Sequence, residues 1–192
     1  MLKLTLQSIR QLIVWTLIAG GLYPLAMTVV ARVAFRDQAE GSLVRHDGKI
    51  VGSALIAQQF RGAKYFWPRP SAATYATVPS GASNLGPTSA QLQTNVNNNL
   101  AALRAAHHLA ADAPVPADLV FTSASGVDPD ISPEAARFQI ARVAAARGMS
   151  EDRIAALVER RVQPPQWGFL GEPRVNVLLL NLALDDLDPQ KK

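Results

Sequence analysis

The sequence predicts an α+β protein in which one N-terminal transmembrane helix precedes a single helix-rich soluble domain with a small β-hairpin or sheet. Three observations carry that expectation. Residues 12–31, LIVWTLIAGGLYPLAMTVVA, are twenty in a row without a charge, and at about 1.5 Å of rise each they reach across a hydrocarbon core of about 30 Å. Apolar residues then recur at helical spacing in several later segments. Between the two, Asp47-Gly48 separates two short apolar runs, the pattern of a tight hairpin.

Charge is divided in the same way. The chain has 192 residues and a net charge of +4, and Lys3, Arg10, Arg32 and Arg36 supply all of it. Residues 37–192 hold 15 basic and 15 acidic side chains and sum to zero. Binding to a phosphate backbone needs a basic surface, so no nucleic-acid partner is expected. The absence of cysteine excludes a disulfide scaffold, a thiolate zinc site and a cysteine nucleophile.

In chain order, residues 1–11 form a short N-terminal tail, 12–34 the transmembrane helix and 37–192 the soluble domain. Arginine and lysine flank the apolar run on both sides, and Trp15 and Tyr23 suit its interfaces. A cleaved signal is the competing reading, but signal cores run to about 7–15 residues, and here Arg32 and Arg36 follow at once. Gly20, Gly21 and Pro24 lie mid-helix, where small residues let another membrane helix approach closely. The flanking charges are nearly balanced, so the positive-inside count leaves orientation open.

A hairpin is expected within Ser42–Phe60. Residues 61–88 are dense in proline and glycine yet carry Tyr65, Phe66, Trp67 and Tyr75, an irregular stretch of the kind that is often functional. Ser89 caps a helix to about Ala110, and Asp118–Thr122 reads as a short strand. Ser132-Pro133-Glu134 starts a helix to Arg147 that stops at Gly148. Ser150 starts another to about Arg161. Val175–Asp186 is helical, with a buried strand open as an alternative for its first half.

Most candidate chemistry fails on spacing. Gly81–Thr88 has P-loop spacing with Pro87 where the phosphate-binding lysine belongs. Asp128-Pro129-Asp130 opens like a calcium loop without its glycine and glutamate, and reads as solvated turn acids. His107-His108 are adjacent, so on a helix they diverge instead of converging on a metal. Ser123–Gly126 lacks a nucleophile elbow. No catalytic residue and no metal site is expected. What stands out is polar loop density: Tyr65, Phe66, Arg69 and Ser71, then Ser80, Gly81, Asn84, Gly86 and Thr88, are candidates for docking a partner or ligand. The alternative is a structural loop pinned by its own side chains.

Several motifs, in order, resemble one family. They are Val51-Gly52-Ser53 with Gln58 and Phe60, Tyr65–Ala72 (YFWPRPSA), Ser80–Thr88 (SGASNLGPT), Asp128–Pro133 (DPDISP), Ala144-x-Ala146-Arg147-Gly148 and Gly168–Leu178 (GFLGEPRVNVL). This series is similar to the C subunit of the Kdp potassium-transporting ATPase over nearly the whole chain. Ala57, Asp130 and Phe121–Ala124 depart from the family's usual residues.

The resemblance implies a single-pass subunit of an inner-membrane complex, partnered by a P-type ATPase subunit and a channel-like potassium-translocating subunit. It implies an accessory role without a catalytic centre, with no bound cofactor and ATP reached only through the partner ATPase subunit. Two family pictures conflict: a catalytic chaperone that raises the ATP affinity of the hydrolysing subunit, and a periplasmic domain over the potassium entrance. Without a P-loop lysine, the periplasmic placement is the expectation. Rival readings are a membrane-anchored sensor or solute-binding domain using Arg69, and a tethered hydrolase built on Ser123 or Ser125.

Overall fold

The computed structural model describes residues 1–187 and divides the chain into two compact units, the first ending at Leu43 and the second beginning at Val44. The first unit is one long helical run. Helix α1 spans Leu2–Leu17, a π-helical turn Ile18–Leu22, and helix α2 Tyr23–Ala34. Lys3 and Arg10 therefore lie inside the helix. These 33 residues form the single helix, among those described, that is long and apolar enough to cross a membrane, and its most apolar window has no buried residue.

The π turn falls where the sequence weakens the helical ladder. Pro24 has no N–H, and Gly20 and Gly21 favour no particular helical register. The Tyr23 N–H reaches back five residues to the Ile18 carbonyl, and Thr28 Oγ1 donates to the Pro24 carbonyl at 2.7 Å. A short helix α3, Arg36–Ala39, follows a break at Phe35.

Strands β1 (Leu43–His46) and β2 (Lys49–Ser53) form the expected hairpin. Asp47 and Gly48 both take positive φ, +49° and +75°, as a type I′ turn requires. Helix α4 (Ala90–Ala106) starts on the Ser89 cap, whose Oγ accepts from the Leu92 N–H. It ends four residues before the expected Ala110. His108 adopts a left-handed φ of +52° and the Leu109 N–H turns back to the Arg104 carbonyl at 2.9 Å, a Schellman-type closure without glycine.

The strand expected over Asp118–Thr122 is instead a 3₁₀ turn, Ala117–Leu119. Leu119 and Val120 are buried, but the Val120 carbonyl accepts from the Asn99 side chain, so a side-chain amide does what a partner strand would. Helix α5 (Pro133–Phe138) begins on the Ser132 cap and α6 (Ile140–Arg147) ends on left-handed Gly148, both as expected. The break between them, at Gln139, was not expected. Helix α7 spans Glu151–Arg161.

The last apolar segment uses both alternatives. Val175–Asn176 is strand β4, antiparallel to β3 (Asp130–Ile131), and Val177–Asp186 is helix α8. Asn176 marks the switch: its Oδ1 accepts from the Leu179 N–H. Helix α8 is apolar nearly all round and is buried accordingly, with Leu180 and Leu184 fully enclosed among Phe66, Val143, Ile154 and Val158.

Candidate functional site

The irregular stretch 61–88 behaves as three pieces of different character. The first, Gly62–Trp67, is clamped. Asn181 on α8 receives the Phe66 N–H at 2.8 Å and returns an amide N–H to the Phe66 carbonyl at 2.9 Å. Gln139, at the α5–α6 break, does the same for Trp67, at 2.7 and 3.1 Å. Two side-chain amides thus stand in for neighbouring strands and satisfy backbone groups that burial would otherwise strand. Phe66, proposed from sequence as a docking residue, is completely buried and packs in the core. Tyr65 is half-buried, with its hydroxyl donating to Asp185 at 3.2 Å.

Arg142 on α6 holds the same piece from below. Its Nη1 donates to the Ala63 and Tyr65 carbonyls, its Nη2 to Gln139 Oε1 and its Nε to His107 Nε2. The guanidinium lies 4.1 Å from the centre of the Trp67 ring, within cation–π range. Desolvation pushes Arg142 down to about 10, so it stays cationic at neutral pH. His107 must be neutral, since it accepts from a group that has no lone pair. Burial, then the charge of Arg142, then His108 push it down to about 4.

A pH dependence follows from His107. Between about pH 4 and 6.5 the unfolded chain binds a proton at this position that the folded chain refuses, so stability rises with pH across the window. It is complete above the unfolded value and is lost as pH falls. Urea midpoints measured from pH 7 to 4 are expected to drop more for this chain than for His107→Gln; identical slopes would contradict the assignment.

The second piece, Arg69–Tyr75, rests on the 123–128 turn. Ser71 Oγ donates to the Gly126 carbonyl and accepts from the Ala73 and Tyr75 N–H groups. The Tyr75 hydroxyl donates to the Arg69 carbonyl, and the Ser123 N–H to that of Pro70. Gly126 has a φ of +74°, and a Cβ there would lie 2.8 Å from the Gly81 carbonyl oxygen. Arg69 pairs with Asp128 at 3.1 Å, so its charge is matched from within the chain. Asp130 pairs with Arg174 at 3.1 Å. The expectation of solvated turn acids at 128 and 130 is therefore corrected: both are half-buried and each holds an arginine. Beside this piece lies a cleft of about 200 Å³ lined by Phe60, Arg61, Trp67 and Tyr75, below the ~300–1,000 Å³ usual for small-molecule sites.

The third piece, 77–88, is different. Ser80, Asn84, Gly86 and Thr88 are exposed and Gly81 is half-buried. Among the described residues none of its side chains takes part in a hydrogen bond within the domain. It carries polar groups facing outward with little internal use. The structure thus separates the sequence candidates: Tyr65, Phe66, Arg69 and Ser71 serve the fold, and Ser80 to Thr88 remain available. Gln139, Arg142 and Asn181 were missed. The one available signal was a polar residue inside an apolar run, as Asn181 is in VLLLNLAL. The rival hydrolase residues are also engaged: Ser123 is 2% exposed and Ser125 Oγ accepts from the Val127 N–H.

Fold and site together define a protein with one membrane-capable helix ahead of a small helix-rich domain that offers a polar surface loop. Comparison with known proteins is specific. The family profile described as "KdpC: K+-transporting ATPase, c chain" matches residues 5–186. The potassium-transporting ATPase KdpC subunit of Rhodopseudomonas palustris is 50% identical over 99% of this chain and 100% of its own. That of Bradyrhizobium diazoefficiens is 51% identical over 96% of this chain and 98% of its own. That of Geobacter sulfurreducens is 50% identical over 95% and 97%. The chain belongs to the KdpC family, and membership implies a place in the Kdp potassium-transporting ATPase complex.

Proposed function

We propose that this chain is an accessory and assembly subunit of an ATP-driven potassium uptake complex, with no catalytic centre of its own. Residues 12–34 span the inner membrane and stay there, and the domain from residue 37 onward lies in the periplasm. Gly20 and Gly21 support a helix-packing role: a Cβ built at either meets nothing within 4 Å, so the glycine surface is open to a partner helix. The 77–88 loop docks on the channel-like potassium-translocating subunit. ATP is reached only through the partner P-type subunit, and any effect on its ATP affinity is transmitted through the membrane helices. The observation that carries the reading is the exposed 77–88 loop, whose side chains make no hydrogen bond among the described residues, beside candidate residues Tyr65, Phe66, Arg69 and Ser71 that are engaged within the chain. A sensor or solute-binding role through Arg69 is less well supported, because Asp128 at 3.1 Å already neutralises its charge.

The cysteine-free chain permits one direct test. Asn84→Cys, in the loop, and Asp112→Cys, on another exposed turn, are treated with a membrane-impermeant maleimide on intact spheroplasts. Both are expected to react from outside when the chain is expressed alone, and only position 84 is expected to become protected when the partner subunits are co-expressed. Reaction only after permeabilisation would overturn the periplasmic placement, and equal reaction with and without partners would overturn docking through the loop.

A further inference from the structure

The 163–174 segment forms an arm unrelated to the docking loop. Backbone bonds between Gln163 and Arg174, at 2.8 and 3.0 Å, close its base, and the Gln166 N–H to Leu170 carbonyl bond, at 2.9 Å, closes its tip. The tip turns through Trp167, Gly168 and Gly171, all at positive φ. It leaves Trp167 84% and Phe169 74% exposed, with Leu170 beside them at 43%. The two rings lie 6.5 Å apart and form one apolar point. Clustered exposed aromatics of this kind mark a surface that is covered in use.

Three properties select the cover. Residues 160–174 hold three arginines, Arg160, Arg161 and Arg174, against one acid, Glu172. Arg174 is paired with Asp130, so the excess sits on Arg160 and Arg161 in the last turn of α7, just before the arm. Aromatic residues beside arginines are the composition that settles at an anionic lipid interface. A two-ring tip on a narrow arm is also far smaller than the ~800 Å² that each partner gives to a standard protein interface, whereas lipid needs no matching shape. Finally, the ten Cα–Cα steps from Ala34 to Val44 extend at most about 36 Å, so the domain is never far from a bilayer.

We propose that the Trp167–Phe169 tip inserts into the anionic lipid interface of the membrane crossed by this chain's own helix. The proposal rests on that helix being a retained anchor, and the test reads the two separately. Full-length chains with a single bimane label at Leu170→Cys, Asp112→Cys or Leu17→Cys are placed in nanodiscs of phosphatidylethanolamine and phosphatidylglycerol containing a doxyl lipid. Quenching at 170 is expected to exceed that at 112 by about twofold or more, and to fall when phosphatidylglycerol is omitted or Trp167→Ser and Phe169→Ser are added. Equal quenching at 170 and 112 would overturn the proposal. So would protection of 170 from aqueous iodide that arises only when partner subunits are added, which would assign the tip to a protein surface. Position 17 reports the anchor alone: failure of lipid quenching there strikes the anchor, while the comparison of 170 with 112 still decides the tip.

Discussion

Asn181→Leu is expected to lower the unfolding free energy by about 3 kcal/mol, because it strands two buried backbone groups at once. Leucine has the branching and heavy-atom count of asparagine and suits an apolar helix, so the fold is retained, while its bulkier methyl groups add to the cost of leaving the Phe66 N–H and carbonyl without partners. Asn181 is 2% exposed and Phe66 is fully buried, which leaves water little opportunity to replace the amide. For a chain of this size the loss corresponds to a fall in Tm of roughly 6–12 °C, measurable by circular dichroism of the full chain in detergent. Hydrogen exchange gives a sharper reading, since protection of the Phe66 amide should collapse well before that of the α7 amides. A change below about 0.5 kcal/mol would mean that the loop carries its own order and the clamp is incidental.

Arg142→Met is the second large effect, and its sign is less obvious. Burying a cation costs free energy, and replacing a buried charge by a methionine of similar length can be neutral or favourable when its partners leave with it. Here they do not leave. The Ala63 and Tyr65 carbonyls and His107 Nε2 remain without this donor, and Gln139 Oε1 keeps only the Trp67 N–H, a loss that outweighs the relieved desolvation. The expected loss is about 3 kcal/mol, part of it recovered as water enters from the exposed Ala63 side. Arg142→Lys should rescue little, because one ammonium cannot span the acceptors that the planar fork reaches. Trypsin provides the readout: Arg61 precedes the clamped piece and Lys64 lies within it, and cleavage there should accelerate about tenfold for each 1.4 kcal/mol by which local opening becomes easier. Unchanged cleavage would show that Arg142 is not what orders the loop.

Both predictions concern residues that sequence reading passed over, and the reason is physical. Asn181 interrupts an apolar periodicity, and periodicity treats an interruption as noise. Its partner lies 115 residues away in a stretch with no regular dihedrals, so no local pattern connects the two. Phe66 suffered the opposite error. An aromatic in a proline-rich loop suggests an exposed contact, but the clamps on its own backbone and on that of Trp67 turn its ring into the core. Asp118–Thr122 has strand-like composition, yet strands exist only in pairs, and the Asn99 amide took the partner's place. The docking candidates divide along the same line. Tyr65, Phe66 and Arg69 are engaged by distant side chains and Ser71 by the Gly126 carbonyl, whereas the side chains of residues 80–88 make no hydrogen bond among the described residues.

What the chain order determined by itself was whatever depends on near neighbours. An uncharged run long enough to cross lipid, the Ser89 and Ser132 caps, the left-handed stop at Gly148 and the Asp47-Gly48 turn all follow from interactions within a few residues. These involve small conformational choices, each biased by one side chain. Tertiary structure alone decided which polar groups are spent and which remain. That outcome depends on which backbone atoms burial deprives of water, and burial is a property of the assembled core. Arg142 with Ala63 and Tyr65, Gln139 with Trp67, and Asn181 with Phe66 were paired by that requirement, and the surface left over is where partners and lipid can act.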